Sequence, residues 1–303
     1  MALPAIGTVD SGTRFGSSFG RPAEGVFCST GSLIVRLAET SHEVRAAQGL
    51  RYSVFFEEGA AIADAAARRT RRDVCQFDRV CDHLIVLDAS VADRRGRHTV
   101  VGAYRLLRQE VAEANFGFYS ANEFQIGPML RRHPASRFLE LGRSCVARDY
   151  RNRTTIELLW RGIWAYVRRH RIDAMFGCAS FPGTDVAAHA LPLSFLTQAA
   201  AAPEDWRVAA LPGRASVRIN SPVDDERRAL RALPALIKGY WRLGATFSPE
   251  AVVDPCFGAT DIFVTMPVDE IEARYIRFFG DDGDAHPKAK ATWRFAESTK
   301  CGN

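Results

Sequence analysis

Lysine is nearly missing from this 303-residue chain: 36 of its 40 basic residues are arginine. Also missing are a CxxC pair, a Cys/His ligand spacing, a long apolar run and any internal repeat. The seven cysteines, scattered at 28, 75, 81, 145, 178, 256 and 301, suit neither a disulfide framework nor a zinc site. Reduced thiols, a cytoplasmic location and no bound metal are the expectation. The first residues lack the charged and apolar regions of a secretory signal, and no apolar run approaches the ~18 residues that span a bilayer. Membrane contact, if any, is therefore expected to be peripheral, at the inner membrane surface. What remains is 47% hydrophobic and 25% charged, the composition of a globular chain rather than a disordered, collagenous or coiled-coil one.

The arginines are the first positive signal, because a guanidinium forks bidentately onto carboxylates and phosphates. The net charge is +5, yet residues 1–30 and 281–303 each sum to zero. Eleven arginines from Arg131 to Arg171 stand against only Glu140, Asp149 and Glu157, a local +8. As one block they predict a docking face for an acidic partner, although any single arginine there is more often on a solvated helix face.

Residues 1–30, rich in Gly, Ser, Ala and Thr without apolar periodicity, predict a disordered arm, and residues 281–303 a similar tail, flanking one domain over 31–280. Within it, strands are expected at 32–37, 138–146, 173–178 and 259–265, with a hairpin pairing 83–88 and 99–107. Helices are expected from Ser41 as N-cap to Phe55, over 60–72, from Thr154 to His170 with Ile156, Leu159, Ile163 and Val167 inward, from Asp185 onward, and over 233–243. Residues 203–217 read as irregular. Helices alternating with a mixed sheet define an α/β or α+β fold.

Several groups of residues invite chemistry. His83 and Asp88 have the spacing of an acyltransferase dyad, but the intervening Leu-Ile-Val-Leu is a strand, which sends them to opposite faces ~16 Å apart. Residues 139–154 run from strand through a basic turn into a helix, so free backbone N–H groups there can receive a phosphate. Glu140 and Arg143 face opposite sides of a regular strand, and a bulge at Gly142 would bring them together. Arg51, Glu57, Asp78, Asp82 and Arg105 mix guanidinium groups with carboxylates, although each alone is more often a surface charge or a structural pair.

The runs Arg51-Tyr-x-Val-Phe55-x-Glu57, Asp78-x-x-x-Asp82-His-Leu-Ile-Val86, Gly102-x-Tyr-Arg-Leu-Leu107 and Glu140-Leu-Gly-Arg-Ser-Cys-Val146 resemble those of the bacterial ornithine lipid N-acyltransferases. Leu159-Trp-Arg-Gly162, Phe176-Gly-Cys-Ala-Ser-Phe181, Leu233-Pro-x-Leu-Ile-Lys-Gly-Tyr-x-Arg-Leu-Gly244 and Asp254-Pro-x-Phe-Gly-x-Thr-Asp261 extend the resemblance in order over about 32–280. It implies a GNAT-like fold, a mixed central sheet flanked by helices, related to that of the acyl-homoserine lactone synthases. It also implies transfer of a 3-hydroxyacyl group from acyl carrier protein to the α-amine of L-ornithine. The thioester on the carrier's phosphopantetheine is then the donor substrate, with no bound cofactor. The Arg, paired Asp, strand Arg and Glu-x-x-Arg of the lactone synthases fall here at Arg51, Asp78 with Asp82, Arg105, and Glu140 with Arg143. The turn at 151–156 has no glycines, which makes free acyl-CoA the less expected donor.

Aminolysis of a thioester needs a neutral amine, donors to the oxyanion and a proton for the leaving thiol. Glu140 is the expected base and Asp82 the second choice, with Arg143 beside them. Arg105 or Arg143 is expected to hold the ornithine carboxylate and Asp78 or Asp82 its δ-ammonium, with Arg51 in the same site. Cys145, Val146 and Ala147 should supply the oxyanion donor and, with Arg148, Arg151 and Arg153, receive the phosphopantetheine and its acidic carrier. Arg168 and Arg169 extend that face. Neither Cys145 nor Cys178 has a histidine placed in sequence to activate it, so direct transfer is expected. Phe176, Phe181, Leu193, Phe195 and Leu196 are candidates for an acyl groove, though each is more often core. Other amine acceptors (glycine, glutamine, lysine), a lactone synthase and a non-catalytic basic module remain alternatives; nucleic acid is not an expected partner.

Overall fold

The computed structural model describes residues 25–271, apart from 94, 215 and 219–221. The expected C-terminal tail and the arm up to residue 24 lie outside the described residues. The strands are β1 Val26–Thr30, β2 Leu33–Leu37, β3 Asp82–Ala92, β4 His98–Arg108, β5 Phe138–Val146, β6 Ala174–Pro182, β7 Ser216–Arg218, β8 Thr246–Asp254 and β9 Ala259–Pro267. The helices are α1 Ser41–Tyr52, α2 Ala65–Thr70, α3 Gln109–Glu113, α4 Ile126–Arg132, α5 Arg153–His170, α6 Ala190–Ala199, α7 Glu226–Ala232 and α8 Ala235–Arg242.

All nine strands join one sheet in the order β1-β2-β3-β4-β5-β6-β9-β8-β7. Every neighbouring pair is antiparallel except β5 and β6, and α5 is the crossover that lets those two run parallel. On one face, Leu158, Leu159, Ile163 and Val167 of α5, with α6 and α8, bury against Val35, Leu84, Leu106, Leu141 and Ile262. The helix rides low because Gly162 has no Cβ; one would stand 2.4 Å from Val35 Cγ1. On the other face, α1 covers Ile85, Leu87, Val100 and Ala103, while Phe138, Phe176 and Phe263 pack with Phe118, Phe124 and Met129.

The local signals account for most boundaries. Thr40 rather than Ser41 caps α1, and Glu43 returns the bond in a reciprocal capping box. Asn152 caps α5 through Thr155 N–H, and Arg168, Arg169 and His170 lie in its last turn, where positive charge opposes the helix dipole. Three expectations change. Val26–Thr30 is a strand, not arm, because residues 31–32 turn it back onto β2 as a hairpin. The Ala/Arg-rich stretch 60–72 is helical only over Ala65–Thr70, where Asp64 caps it and few apolar residues hold it down. Ile156 is 42% exposed, since Thr155 holds the inward position in the first turn of α5 and the apolar stripe starts at Leu158 and Leu159.

Candidate active site

Parallel pairing of β5 and β6 lasts for only three residue pairs, Phe138↔Ala174, Leu139↔Met175 and Glu140↔Phe176. Beyond them the strands part. Gly177 sits at the parting point, where a Cβ would stand 2.4 Å from the carbonyl oxygen of Leu141, so β6 passes there only as glycine. The gap is a cleft of about 300 Å³ lined from both faces of the sheet. Tyr104, Leu141, Phe181, Leu236 and Tyr240 come from the α5/α8 face, and Arg105, Tyr119, Glu140, Arg143, Asp254 and Asp261 from the other. Val54, Phe55, Gly59 and Ala60, just after α1, also line it, and Phe55 meets Phe257 edge-on at 6.0 Å.

Behind the cleft lies a lattice of buried, paired charges. Both terminal nitrogens of Arg51 donate to Asp78 at 2.8 Å, and its Nε lies 2.8 Å from Asp73. Arg105 approaches the same Asp78 at 3.4 Å and lies over the rings of Phe77 and Tyr119. Arg143 pairs with Asp73 at 3.2 Å and lies over Tyr119 and Phe257. Burial works against the Asp78 charge, but the Arg51 bonds and charge, with the Cys75 N–H, hold its carboxyl well below the usual range. Arg105 and Arg143 reach the cleft; Arg51 and Asp78 do not. Those two are supports, not the substrate contacts expected of them.

Glu140 is 4% exposed and lines the cleft. Its Oε1 accepts from the Ser120 N–H at 2.7 Å and the Ser120 hydroxyl at 2.5 Å, and its Oε2 from the Tyr119 N–H at 2.8 Å. Burial pushes this carboxyl upward despite those bonds. The expected bulge exists, but its left-handed residue is Arg143, at φ 52°, not Gly142. An L-residue there costs about 1 kcal/mol or more. The kink brings Glu140 and Arg143 to one side, where they meet through Tyr119 rather than as an ion pair.

Sequence reasoning missed a third group. Glu123, Asp254 and Asp261 are all buried, with one oxygen from each lying within 4.8 Å of the others. They come from the loop before α4, the end of β8 and the start of β9. Register explains two of them: Asp261 opposes Ser180 and Val252 across its two neighbours, so it shares a face with Cys178 and Asp254. Burial and the facing Asp261 push the Glu123 carboxyl up to about 8, and burial pushes Asp261 up as well. Cysteine and histidine spacing says nothing about such a carboxylate set.

Other expected residues lie elsewhere. Asp82 accepts the Tyr166 hydroxyl at 2.5 Å and faces Arg108 at 3.8 Å, outside the cleft lining. Cys145 stands opposite Ala103 in the β4–β5 ladder with its side chain packed among Ala47, Ile85 and Leu87, and Ala147 already spends its N–H on Val101, so the backbone there is taken up by the sheet rather than by the oxyanion expected of it. Burial pushes the Cys145 thiol up to about 12 and Cys178 well above its usual value, which leaves both as poor nucleophiles. Arg151 reaches Glu58 at 2.7 Å and Arg148 reaches it at 3.6 Å, next to the cleft-lining Gly59, while Arg153 pairs with Glu157. The +8 block is not one face: α5 alone, at ~1.5 Å per residue, puts ~24 Å between Arg153 and Arg169. Of the expected acyl groove only Phe181 lines the cleft; Phe176, Leu193, Phe195 and Leu196 are core.

A mixed sheet splayed between its two parallel strands, with a buried carboxylate at the splay, is the arrangement of an N-acyltransferase. Residues 50–161, from α1 to the middle of α5, match the family described as the acetyltransferase (GNAT) domain. An N-acyl amino acid synthase from uncultured soil microbes aligns over 82% of this chain and 98% of its own, at 10% identity and a TM-score of 0.43. Sequence relatives are far nearer. The L-ornithine N(alpha)-acyltransferase of Agrobacterium fabrum is 51% identical over 86% of this chain and 89% of its own. That of Rhizobium meliloti is 46% identical over 92% and 95%. The chain belongs to the L-ornithine N(alpha)-acyltransferase family.

Proposed function

We propose that this protein acylates the α-amine of L-ornithine from a thioester. The observation that carries the reading is the match, over nearly the whole length of both chains, to relatives of that name. The acyl group in this reading is a 3-hydroxyacyl chain carried by acyl carrier protein, and the product is lyso-ornithine lipid.

The two sides of the cleft fit two different substrates. The side with Tyr104, Leu141, Phe181 and Tyr240 is apolar with hydroxyl groups at its edge, and suits the acyl thioester. The Tyr104 and Tyr240 hydroxyls lie 3.3 Å apart, and burial keeps both protonated, able to donate to an oxyanion or a departing sulfur. The side with Arg105, Glu140 and Arg143 is charged and suits the amino acid, with a guanidinium available to its carboxylate. The amine nitrogen attacks the thioester carbonyl carbon and the carbon–sulfur bond breaks. Glu140 takes the amine proton, and a proton returns to the thiolate, giving amide and free carrier thiol. Oε2 of Glu140, with a single N–H bond, has a lone pair for this role. Arg148 and Arg151 beside Gly59 are the part of the basic block that would meet the acidic carrier. Among the described residues no helix is long and apolar enough to cross a membrane, so the reading includes peripheral contact at the inner surface.

The test is thiol release from 3-hydroxyacyl carrier protein with each of ornithine, lysine, glutamine, glycine and S-adenosylmethionine. Ornithine should give the highest rate and an N-acyl product by mass spectrometry. No release with ornithine, or release with another acceptor alone, overturns the assignment.

A further inference from the structure

Asp254 and Asp261 line the same cleft as Arg105, Glu140 and Arg143, and Glu123 closes the group behind them. Most of the protein's buried carboxylates have a cation or a full set of donors. This trio has a single distant cation and no full set of donors. Oδ1 of Asp261 and Oε2 of Glu123 accept no hydrogen bond, although the residues are 5% and 1% exposed. Asp254 spends Oδ1 on the N–H groups of Cys256 and Phe257, at 2.8 and 3.1 Å. Among the described residues, the one ion pair to the group is Arg214, 3.8 Å from the other oxygen of Glu123. A buried acceptor without a donor is costly, and three carboxylates that face one another multiply that cost. Burial and mutual repulsion therefore raise the Glu123 and Asp261 carboxyls and favour their protonated forms.

A compact cation would replace those protons. A primary ammonium has three N–H donors on one nitrogen, which suits three inward-facing carboxylates better than a planar guanidinium does. The two cationic residues on the cleft, Arg105 and Arg143, belong with the amino acid's carboxylate, and both are already engaged with Asp78 or Asp73. Arg143 acts on Asp261 but pairs with Asp73, and Ser120 and Cys178 separate the acids from Glu140.

We propose that Glu123, Asp254 and Asp261 form the subsite that binds the side-chain ammonium of the acceptor amino acid and so select a diamino acid. The inference rests on the assignment of an amino acid acceptor to the charged side of the cleft. It moves the ammonium contact from Asp78 and Asp82, which lie behind or outside the cleft, to a group that is buried, clustered and short of donors.

The probe is L-norvaline, which keeps the carbon skeleton of ornithine and lacks its side-chain amine. Wild-type protein should acylate ornithine and discriminate against norvaline by about 30-fold or more in kcat/KM. Asp261→Asn and Glu123→Gln should raise the KM for ornithine by about tenfold or more, with a smaller change in kcat, and narrow the gap to norvaline. Wild-type turnover of ornithine with unchanged KM in both variants would overturn the subsite while leaving the acyltransfer reading standing. No wild-type turnover of ornithine would overturn that reading itself. Should either variant fail to fold, thermal shifts of the wild-type protein decide: ornithine must raise Tm and norvaline must not. Equal shifts from both amino acids, or a shift from magnesium, manganese or calcium ions with activity lost to a chelator, would overturn the proposal, the second in favour of a metal site.

Discussion

Two clusters of buried charge stand on either side of Glu140, and they are built in opposite ways. In the Arg51–Asp73–Asp78–Arg105–Arg143 lattice every carboxylate meets guanidinium groups, and the best-buried arginine, 1% exposed, grips Asp78 with both terminal nitrogens. In the Glu123–Asp254–Asp261 trio the acids face each other. A charge cluster that is complete without a ligand holds backbone in place; one that is incomplete has room for a ligand to complete it. The first anchors the segment before β3 to α1 and steadies the strained Arg143, and the second is left to the substrate.

The largest effect should come from breaking the complete cluster. Arg51→Leu leaves Asp73 and Asp78 buried with fewer partners and should cost about 3–5 kcal/mol of stability by urea denaturation. A cost below about 1 kcal/mol would show that the lattice is not the support described. Next, Glu140→Gln should lower kcat by about 100-fold or more with an unchanged far-ultraviolet spectrum, and wild-type rates would remove Glu140 from proton transfer.

The incomplete cluster has its own signature in pH. Glu123 and Asp261 titrate higher in the folded chain than in the unfolded one, so their contribution to stability is full below pH ~4 and is lost as pH rises through about 8, the value to which Glu123 is pushed. Asp261, Asp254 and Cys178 face Glu123 from β9, β8 and β6, with Arg214 the cation facing Glu123 and Arg143 the one facing Asp261. The ligand-free protein should therefore lose stability between pH 5 and 9, and Glu123→Gln should flatten that slope by about 1–2 kcal/mol. An unchanged slope in the variant would place the titrating groups elsewhere. Charge reversal at Arg148 and Arg151 should raise the KM for acyl carrier protein only several-fold and reduce its salt dependence, since Glu58 already engages both. Smallest of all, Asp82→Asn should leave kcat within about twofold, because Asp82 sits on Tyr166 away from the cleft; a large fall would restore it as a base.

Much of this is legible along the chain where the signal is local. The apolar runs of β3, β4, β5 and β9 and the stripe of α5 are read directly from residue spacing, as is the need for a bulge between Glu140 and Arg143. What spacing does not show is which partner a charge meets across the sheet. Asp78 and Asp82 are four residues apart, yet one turns in to Arg51 and the other out to Tyr166, since a short helical turn ends between them and β3 begins. The acid trio is assembled from positions 123, 254 and 261, brought together only by the insertion of β9 between β6 and β8. The +8 block fails as a surface for the reverse reason, since neighbours in sequence are carried to the two ends of one long helix.

The parting of β5 and β6 has a kinetic consequence. A cleft lined from both faces of one sheet lets the thioester and the amino acid occupy different walls at the same time, with the reacting carbon and nitrogen meeting in the gap between strands. Neither substrate has to leave before the other binds. Initial-rate plots at several fixed acceptor concentrations should then intersect rather than run parallel, as they do when both substrates are held on the enzyme before the first product departs.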